Sequence, residues 1–330
     1  MLEVKEAGSK TKSLDDFRGD FAAVADLIQQ SWSENNQQPI LYGETFLESC
    51  FQYPGASFSL APTIYDEGNP IAFVAGFPRK VRCQGRELRV LLITFLTVSS
   101  EYKKKGYGVI LWSELASRAR AAGFEGLVNY CVAGSAMDAM ILGCCQRLKL
   151  PTACVFSIEY MSGLVPAFAE EESPRGEAEA NVDLFLSAAS ELHEPNSVVR
   201  IWSRAEADWQ CVRRTGAVAA AYRKENRQGM LTGYVAPIMN STGTKCLFFE
   251  DVLWSELKDA ERFELLEDLL CRARGMGAEM ATAPRCGYAD TKAFSHAGFC
   301  RTRRIVRAFL SVWDGIKATD TVPSFYLGVL

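Results

Sequence analysis

Three lysines, Lys103, Lys104 and Lys105, run directly into two glycines one residue apart, Gly106 and Gly108. Before them, residues 88–98 form an apolar run of strand character. After them, Val109, Trp112, Leu115, Ala116 and Ala119 recur at three- and four-residue spacing, the pattern of a helix with one buried stripe. A glycine loop at a strand-to-helix junction lets successive backbone N–H groups turn toward one point, and the helix N-terminus adds partial positive charge. That arrangement, with lysines beside it, is an anion cradle suited to a diphosphate. The plain alternative is a solvated basic turn that starts a helix on glycine.

Two nucleotide motifs do not fit this stretch. A P-loop needs Lys and Ser/Thr directly after its second glycine, and Leu111 stands where a dinucleotide-binding loop has its third glycine. Glu125 lies at about the right distance for a ribose contact, but it begins the next strand instead of ending it.

Other reactive side chains are sparse. Eleven cysteines, an odd number, sit scattered in apolar runs without a CxxC pair, and the only histidines are His193 and His296. A structural zinc site is not expected, and no metal is assigned. Scattered cysteines in a chain of 330 residues read as buried, reduced thiols, which places the protein in a reducing compartment, the cytoplasm. Cys144 and Cys145 are adjacent but have no histidine partner in sequence, so packing is favoured over covalent catalysis. His296 reads as a surface residue.

The elements that must position the loop follow from periodicity. Helices are expected over residues 20–32 and 43–51, then strands over 58–65, 71–83 and 88–98 joined by short polar turns as an antiparallel meander. The helix over 106–123, a strand over 126–132, a helix over 135–148 and a strand over 153–161 complete the first half. Residues 166–180, acidic and proline-bearing, read as a linker.

The second half repeats that order. Helices are expected over 182–192 and 206–215, strands over 218–222, 230–238 and 245–253, a helix over 259–274, a strand over 279–283, a helix over 288–297 and a strand over 304–313. The expected fold class is α+β, with domains over 1–165 and 181–330, each a mixed, mostly antiparallel sheet flanked by helices.

Composition excludes rather than assigns. An apolar share of 48% and a charged share of 23% belong to an ordinary globular chain. A net charge of −4 gives no reason to expect nucleic acid or a membrane surface as partner. No uncharged apolar run reaches membrane-spanning length, and the N-terminal residues are too charged for a signal-peptide core.

The strand–loop–helix stretch resembles the GNAT acyltransferase superfamily. That family carries Gln or Arg, two residues, Gly, one residue, then Gly or Ala, and here Lys103, Gly106 and Gly108 take those places. The resemblance implies two tandem GNAT-like domains and binding of acetyl-CoA or another acyl-CoA. The pyrophosphate would rest on the N–H groups of Lys104, Lys105, Gly106, Tyr107 and Gly108, and the pantetheine arm alongside Leu96, Thr97 and Val98. It implies an N-acyltransferase, most simply an acetyltransferase, acting by direct attack of a small-molecule or peptide amine. The alternative is a catalytically inactive GNAT-fold protein that binds coenzyme A, a ligand or a partner.

The sequence also departs from the family. Lysine at 103 keeps charge but loses the planar fork of arginine. The family's usual tyrosine acid has Cys145 as its nearest counterpart by spacing, with Phe294 in the second half, so Tyr130 and Tyr160 are named as substitute acids, weighed against half-buried aromatics, and Glu159 as a base whose carboxyl burial would raise, weighed against an ordinary surface acid at a strand end. Glu250 and Asp251, at a strand end, are weighed as an attraction for a cationic acceptor against ordinary solvated charges. Residues 255–264 contain no glycine and carry several acids where the second cradle should be, so the second domain is expected to be a degenerate copy without cofactor.

Overall fold

The computed structural model describes residues 2–4, 12–33, 40–167, 182–193, 198–239, 243–313 and 325–326. The expected linker over 166–180 falls outside them from residue 168 onward. The chain packs as two compact units. The first comprises Met1–Lys80, Glu87–Val155 and Arg307–Thr321, the second Val81–Arg86, Phe156–Val306 and Val322–Leu330. Packing thus divides the chain differently from a single cut in the sequence.

In the first unit β1 (Leu2–Val4), β2 (Lys12–Asp16), α1 (Phe21–Ser33), α2 (Glu44–Phe51), β3 (Pro62–Asp66), β4 (Asn69–Cys83) and β5 (Arg86–Val98) are followed by α3 (Tyr107–Ala121), β6 (Gly126–Val132), α4 (Ala136–Arg147) and the start of β7 (Thr152–Leu164). Strands β1 to β4 pair antiparallel in order, β5 lies beside β4, and β6 pairs parallel with β5. The crossover that makes a parallel pair is α3, as such a pair requires. On one face of this sheet, Leu91, Ile93 and Leu127 pack against Leu111, Trp112, Leu115 and Ala116 of α3. The other face is aromatic, with Phe17, Phe21, Phe51, Phe58 and Phe73 in edge and tilted contacts beneath α1 and α2.

Residues 307–312 complete this sheet beyond β6. Trp313 N–H donates to the Glu125 carbonyl at 3.0 Å, and Phe309 enters the α3-side core. Gly126 is required here, because a Cβ would lie 2.3 Å from the Ser311 carbonyl oxygen.

The second unit takes the remainder of β7 and adds α5 (Val182–Glu191), β8 (Val198–Ile201), α6 (Arg204–Asp208), β9 (Ala217–Lys224), β10 (Arg227–Pro237), β11 (Lys245–Leu253), α7 (Asp259–Gly275), β12 (Ala278–Arg285), α8 (Lys292–His296), β13 (Cys300–Val312) and β14 (Phe325–Tyr326). Strands β9, β10 and β11 form an antiparallel meander, α7 crosses over, and β12 pairs parallel with β11 and antiparallel with β7. Its core joins Leu265, Leu266, Leu269 and Leu270 of α7 to Leu231, Leu247 and Phe249. Meander, crossover helix and parallel strand therefore occur twice.

Several elements differ from expectation. Phe58–Leu60 is a 3-10 turn, not the start of a strand, because the Ser57 side chain accepts the Ser59 N–H and sends Phe58 into the aromatic face. The helix expected over 206–215 is α6 followed by a wider turn at Trp209–Arg213, closed by Arg214 N–H to the Trp209 carbonyl at 3.0 Å. The helix expected from 288 begins only at Lys292. Strands β1, β2, β8 and β14 are too short to show a period in sequence.

Candidate functional site

The strand that feeds the glycine loop separates from its neighbour. Pairing of β5 with β6 runs from Val90 with Gly126 to Ile93 with Asn129, while β5 continues to Val98. Leu91 and Ile93 face α3, and strict alternation would send Phe95 the same way. Phe95 instead has φ of 58° and packs its ring against Tyr42 and Phe77 at centroid distances of 5.2 and 6.4 Å, within the aromatic face. This left-handed residue is a bulge that resets the alternation, so Leu96 and Val98 join the α3 side while Thr97 is buried, its hydroxyl donating to the Phe95 carbonyl at 3.0 Å. Ser99 N–H donates to the Ile71 carbonyl of β4 at 2.8 Å. Across a trans peptide the Val98 carbonyl then points away from β4, and alternation turns the backbone groups of Leu96 the same way. The end of β5 thus presents an edge that β6 does not cover.

The loop beyond it is built for N–H exposure. Lys104 has φ of 65° and Gly106 φ of 85° with ψ of 0°, two left-handed residues immediately before α3. Residues in the first turn of a helix have no intrahelical acceptor, and no backbone acceptor among the described residues takes the N–H of Gly106, Tyr107 or Gly108. Lys104 and Lys105 are exposed and Lys103 is half-buried. A Cβ on Gly108 would lie 3.8 Å from Val98 Cγ2 and 3.4 Å from Met140 Sδ, so this glycine brings the helix start close to both the open strand and α4.

Tyr107 is 2% exposed and lies in the core, leaving only its N–H for a ligand. A residue missed in sequence is Tyr102, whose ring lies between the ammonium groups of Lys12 and Lys105 at 5.2 and 4.9 Å. Its hydroxyl donates to Asp66 at 2.6 Å, and that bond holds the phenol above its ordinary pKa.

The three candidate catalytic residues do not fall in one unit. Tyr130 follows the last residue of β6 paired with β5. Asn129 accepts from Trp112 Nε1 at 2.9 Å on the α3 side, so Tyr130 projects to the same face as the Phe95 ring. Glu159 and Tyr160 belong to the second unit. Of the two readings of Glu159, a buried base and a surface acid, its surroundings are those of the second: the side chain is 43% exposed and paired with Arg285 at 2.7 Å. Burial pushes the Tyr160 phenol well up, with Arg304 5.9 Å from its ring. Cys144 and Cys145 are buried, and burial raises the Cys144 thiol. His296 is exposed at the end of α8. No group of three or more metal-ligating side chains occurs among the described residues.

The second unit has the same separation with a different filling. Pairing of β11 with β12 ends at Phe248 with Thr282, and between Thr232 with Asp251 and Gly233 with Phe249 the register skips Glu250. The bulge brings two consecutive carboxylates onto one group, because Gln210 Nε2 donates to both Glu250 and Asp251. Arg214 donates to Glu250 at 2.6 Å, and Thr232 and Tyr326 donate to Asp251 at 2.6 and 2.7 Å. Burial pushes the Glu250 carboxyl upward. These carboxylates, 3% and 0% exposed, are not the solvated strand-end charges that sequence favours. Burial pushes the Tyr288 phenol well above its ordinary pKa. At the helix start, Glu261 accepts the Lys258 N–H at 2.9 Å and is gripped by the Arg227 guanidinium, which pulls its carboxyl down to about 2. A protein carboxylate thus takes a helix-start N–H in this unit, where the N–H groups of Gly106, Tyr107 and Gly108 in the first have no backbone acceptor among the described residues.

Comparison with known proteins agrees with this geometry. Residues 21–140 match the model of the acetyltransferase (GNAT) family. No curated protein sequence matches the chain. Among solved structures, Saccharomyces cerevisiae N-myristoyltransferase with bound myristoyl-CoA superposes with a TM-score of 0.70 at 11% identity, over 93% of this chain and 80% of that one. The same enzyme with myristoyl-CoA and inhibitors gives a TM-score of 0.73 at 11% identity, over 94% of this chain and 81% of that one. At such identity the likeness is one of fold, and N-myristoyltransferase is itself a tandem GNAT-fold protein. With the family's sequence match over residues 21–140, its loop on the expected strand and helix, and the same architecture repeated, the chain has a GNAT fold in a two-unit form.

Proposed function

We propose that the first unit binds acyl-CoA and transfers its acyl group to an amine, the acyl group being acetyl. The observation that carries this reading is the continuity between the uncovered end of β5 and the N–H groups at Gly106 to Gly108. The pyrophosphate sits on those N–H groups with Lys103, Lys104 and Lys105 beside it. The pantetheine amides pair along Leu96, Thr97 and Val98 as an added strand. The thioester carbonyl then meets the N–H of Leu96, which the Phe95 bulge turns toward the open edge, and that donor stabilises the oxyanion as a neutral amine attacks the carbonyl carbon. Collapse of the tetrahedral intermediate breaks the C–S bond; Tyr130, at the mouth of the separation, gives its proton to the departing thiolate and is restored by the surplus proton that the attacking amine gives up as the amide forms.

Acetyl is supported by the rings of Tyr42, Phe77 and Phe95, which pack together at the bulge. A longer chain is the second reading, supported by the myristoyl-CoA bound in the structural neighbours. The ten described cysteines are all free thiols, in keeping with a cytoplasmic setting, and no described helix is long and apolar enough to cross a membrane. Thiol release from acetyl-, octanoyl- and myristoyl-CoA over a panel of small and peptide amines tests the assignment. Fastest turnover is expected with acetyl-CoA; preference for a long chain selects the second reading, and coenzyme A binding without any turnover removes the enzymatic one.

A further inference from the structure

One residue of α1 touches both ends of the proposed cofactor path. Ser31, 3% exposed in the last turn of α1, donates its hydroxyl to the Val98 carbonyl at 2.8 Å. That carbonyl is the one directed to the open edge of β5, where a bound pantetheine would pair. The Ser31 carbonyl lies in the last turn of the helix, and Lys103 Nζ lies 3.5 Å from it. The negative end of the α1 dipole favours an ammonium there. A serine hydroxyl near a helix end commonly bonds back to its own helix. This one reaches a strand 67 residues away in sequence.

We propose that Ser31 is a positioning residue for acyl-CoA: it fixes the Val98 carbonyl at the end of β5 and, through its own carbonyl, the ammonium of Lys103, so that α1 forms part of the cofactor site. The inference rests on the proposed reading of that site. Ser31 contacts no reacting atom, so its effect falls on binding and not on the chemical step.

Steady-state kinetics of the full chain with acetyl-CoA, or with whichever acyl-CoA turns over fastest, test it. Ser31→Ala is expected to raise KM for acyl-CoA about tenfold, the value of one hydrogen bond, with kcat within about twofold. Ser31→Thr, which keeps the hydroxyl, is expected to restore KM, and the equilibrium affinity for coenzyme A alone should move in parallel. An unchanged or lowered KM in Ser31→Ala, a fall confined to kcat, or failure of Ser31→Thr to restore binding overturns the proposal. Should the alanine variant not fold, the threonine variant and Ser31→Cys, of similar size but a weak donor, give the same comparison. Gly106→Val keeps the two levels apart. If it binds coenzyme A normally, the site itself is misplaced; if it does not and Ser31→Ala does, only the role of Ser31 fails.

Discussion

At the level of single residues, the two glycines of the loop do different work. Gly106 is held at φ of 85° with nothing within 4 Å of where a Cβ would be, so its requirement is conformational. A β-branched side chain there costs about 1–2 kcal/mol of backbone strain and turns the N–H groups away from their common point. Gly108 has no such φ, and its alanine variant should fold normally. Calorimetry with coenzyme A should show saturation at one per chain for the wild type and for Gly108→Ala, and at least tenfold weaker binding for Gly106→Val. Equal affinity in Gly106→Val would displace the cradle. The loop was legible in sequence because its chemistry is contiguous, with glycines, lysines and helix stripe within one stretch. Glu250 and Asp251 were not, because their shared partner depends on a register skip against β10 that no local pattern encodes.

At the level of elements, α3 and α7 start differently. Both begin after a strand that has parted from its parallel neighbour, but α7 supplies its own anion, Glu261, backed by the Arg227 fork. The missing glycine is what makes this half read as a degenerate copy, whereas the carboxylate at its helix start shows only in three dimensions. Glu261 is held down to about 2 from an ordinary 4.5, so it is ionised in the folded protein at pH values where the unfolded chain takes up a proton. Its contribution to stability is complete above 4.5 and is lost as pH falls through about 2. Denaturant unfolding of wild type and Glu261→Gln should therefore differ most near neutral pH, with the gap closing across that acid range. A gap that is constant with pH, or that widens on acidification, would mean that the Arg227 pair is not the source.

For the whole molecule, the sequence read as two consecutive copies, and the repeated meander, crossover helix and parallel strand agree with that order. What it could not show is that packing does not respect the copies, since the strand flanking each parallel strand comes from the opposite half of the chain: β7 beside β12, and residues 307–312 beside β6. Residues 1–155 alone therefore lack Phe309 from their core and the Ser311 hydroxyl that meets Thr152 at 3.2 Å. Such a fragment should show no cooperative melt by circular dichroism, and the same fragment extended through a short flexible linker by residues 307–313 should recover one. A cooperative melt without the added strand would make that strand dispensable. The arrangement also sets a timetable for synthesis. As the chain leaves the ribosome, β6 is complete long before its outer neighbour is translated, and the nascent first unit must wait with an apolar strand edge exposed through synthesis of nearly the whole second half. Protection of that edge by chaperones, more than the stability of the finished fold, would then limit how much active protein a cell can make.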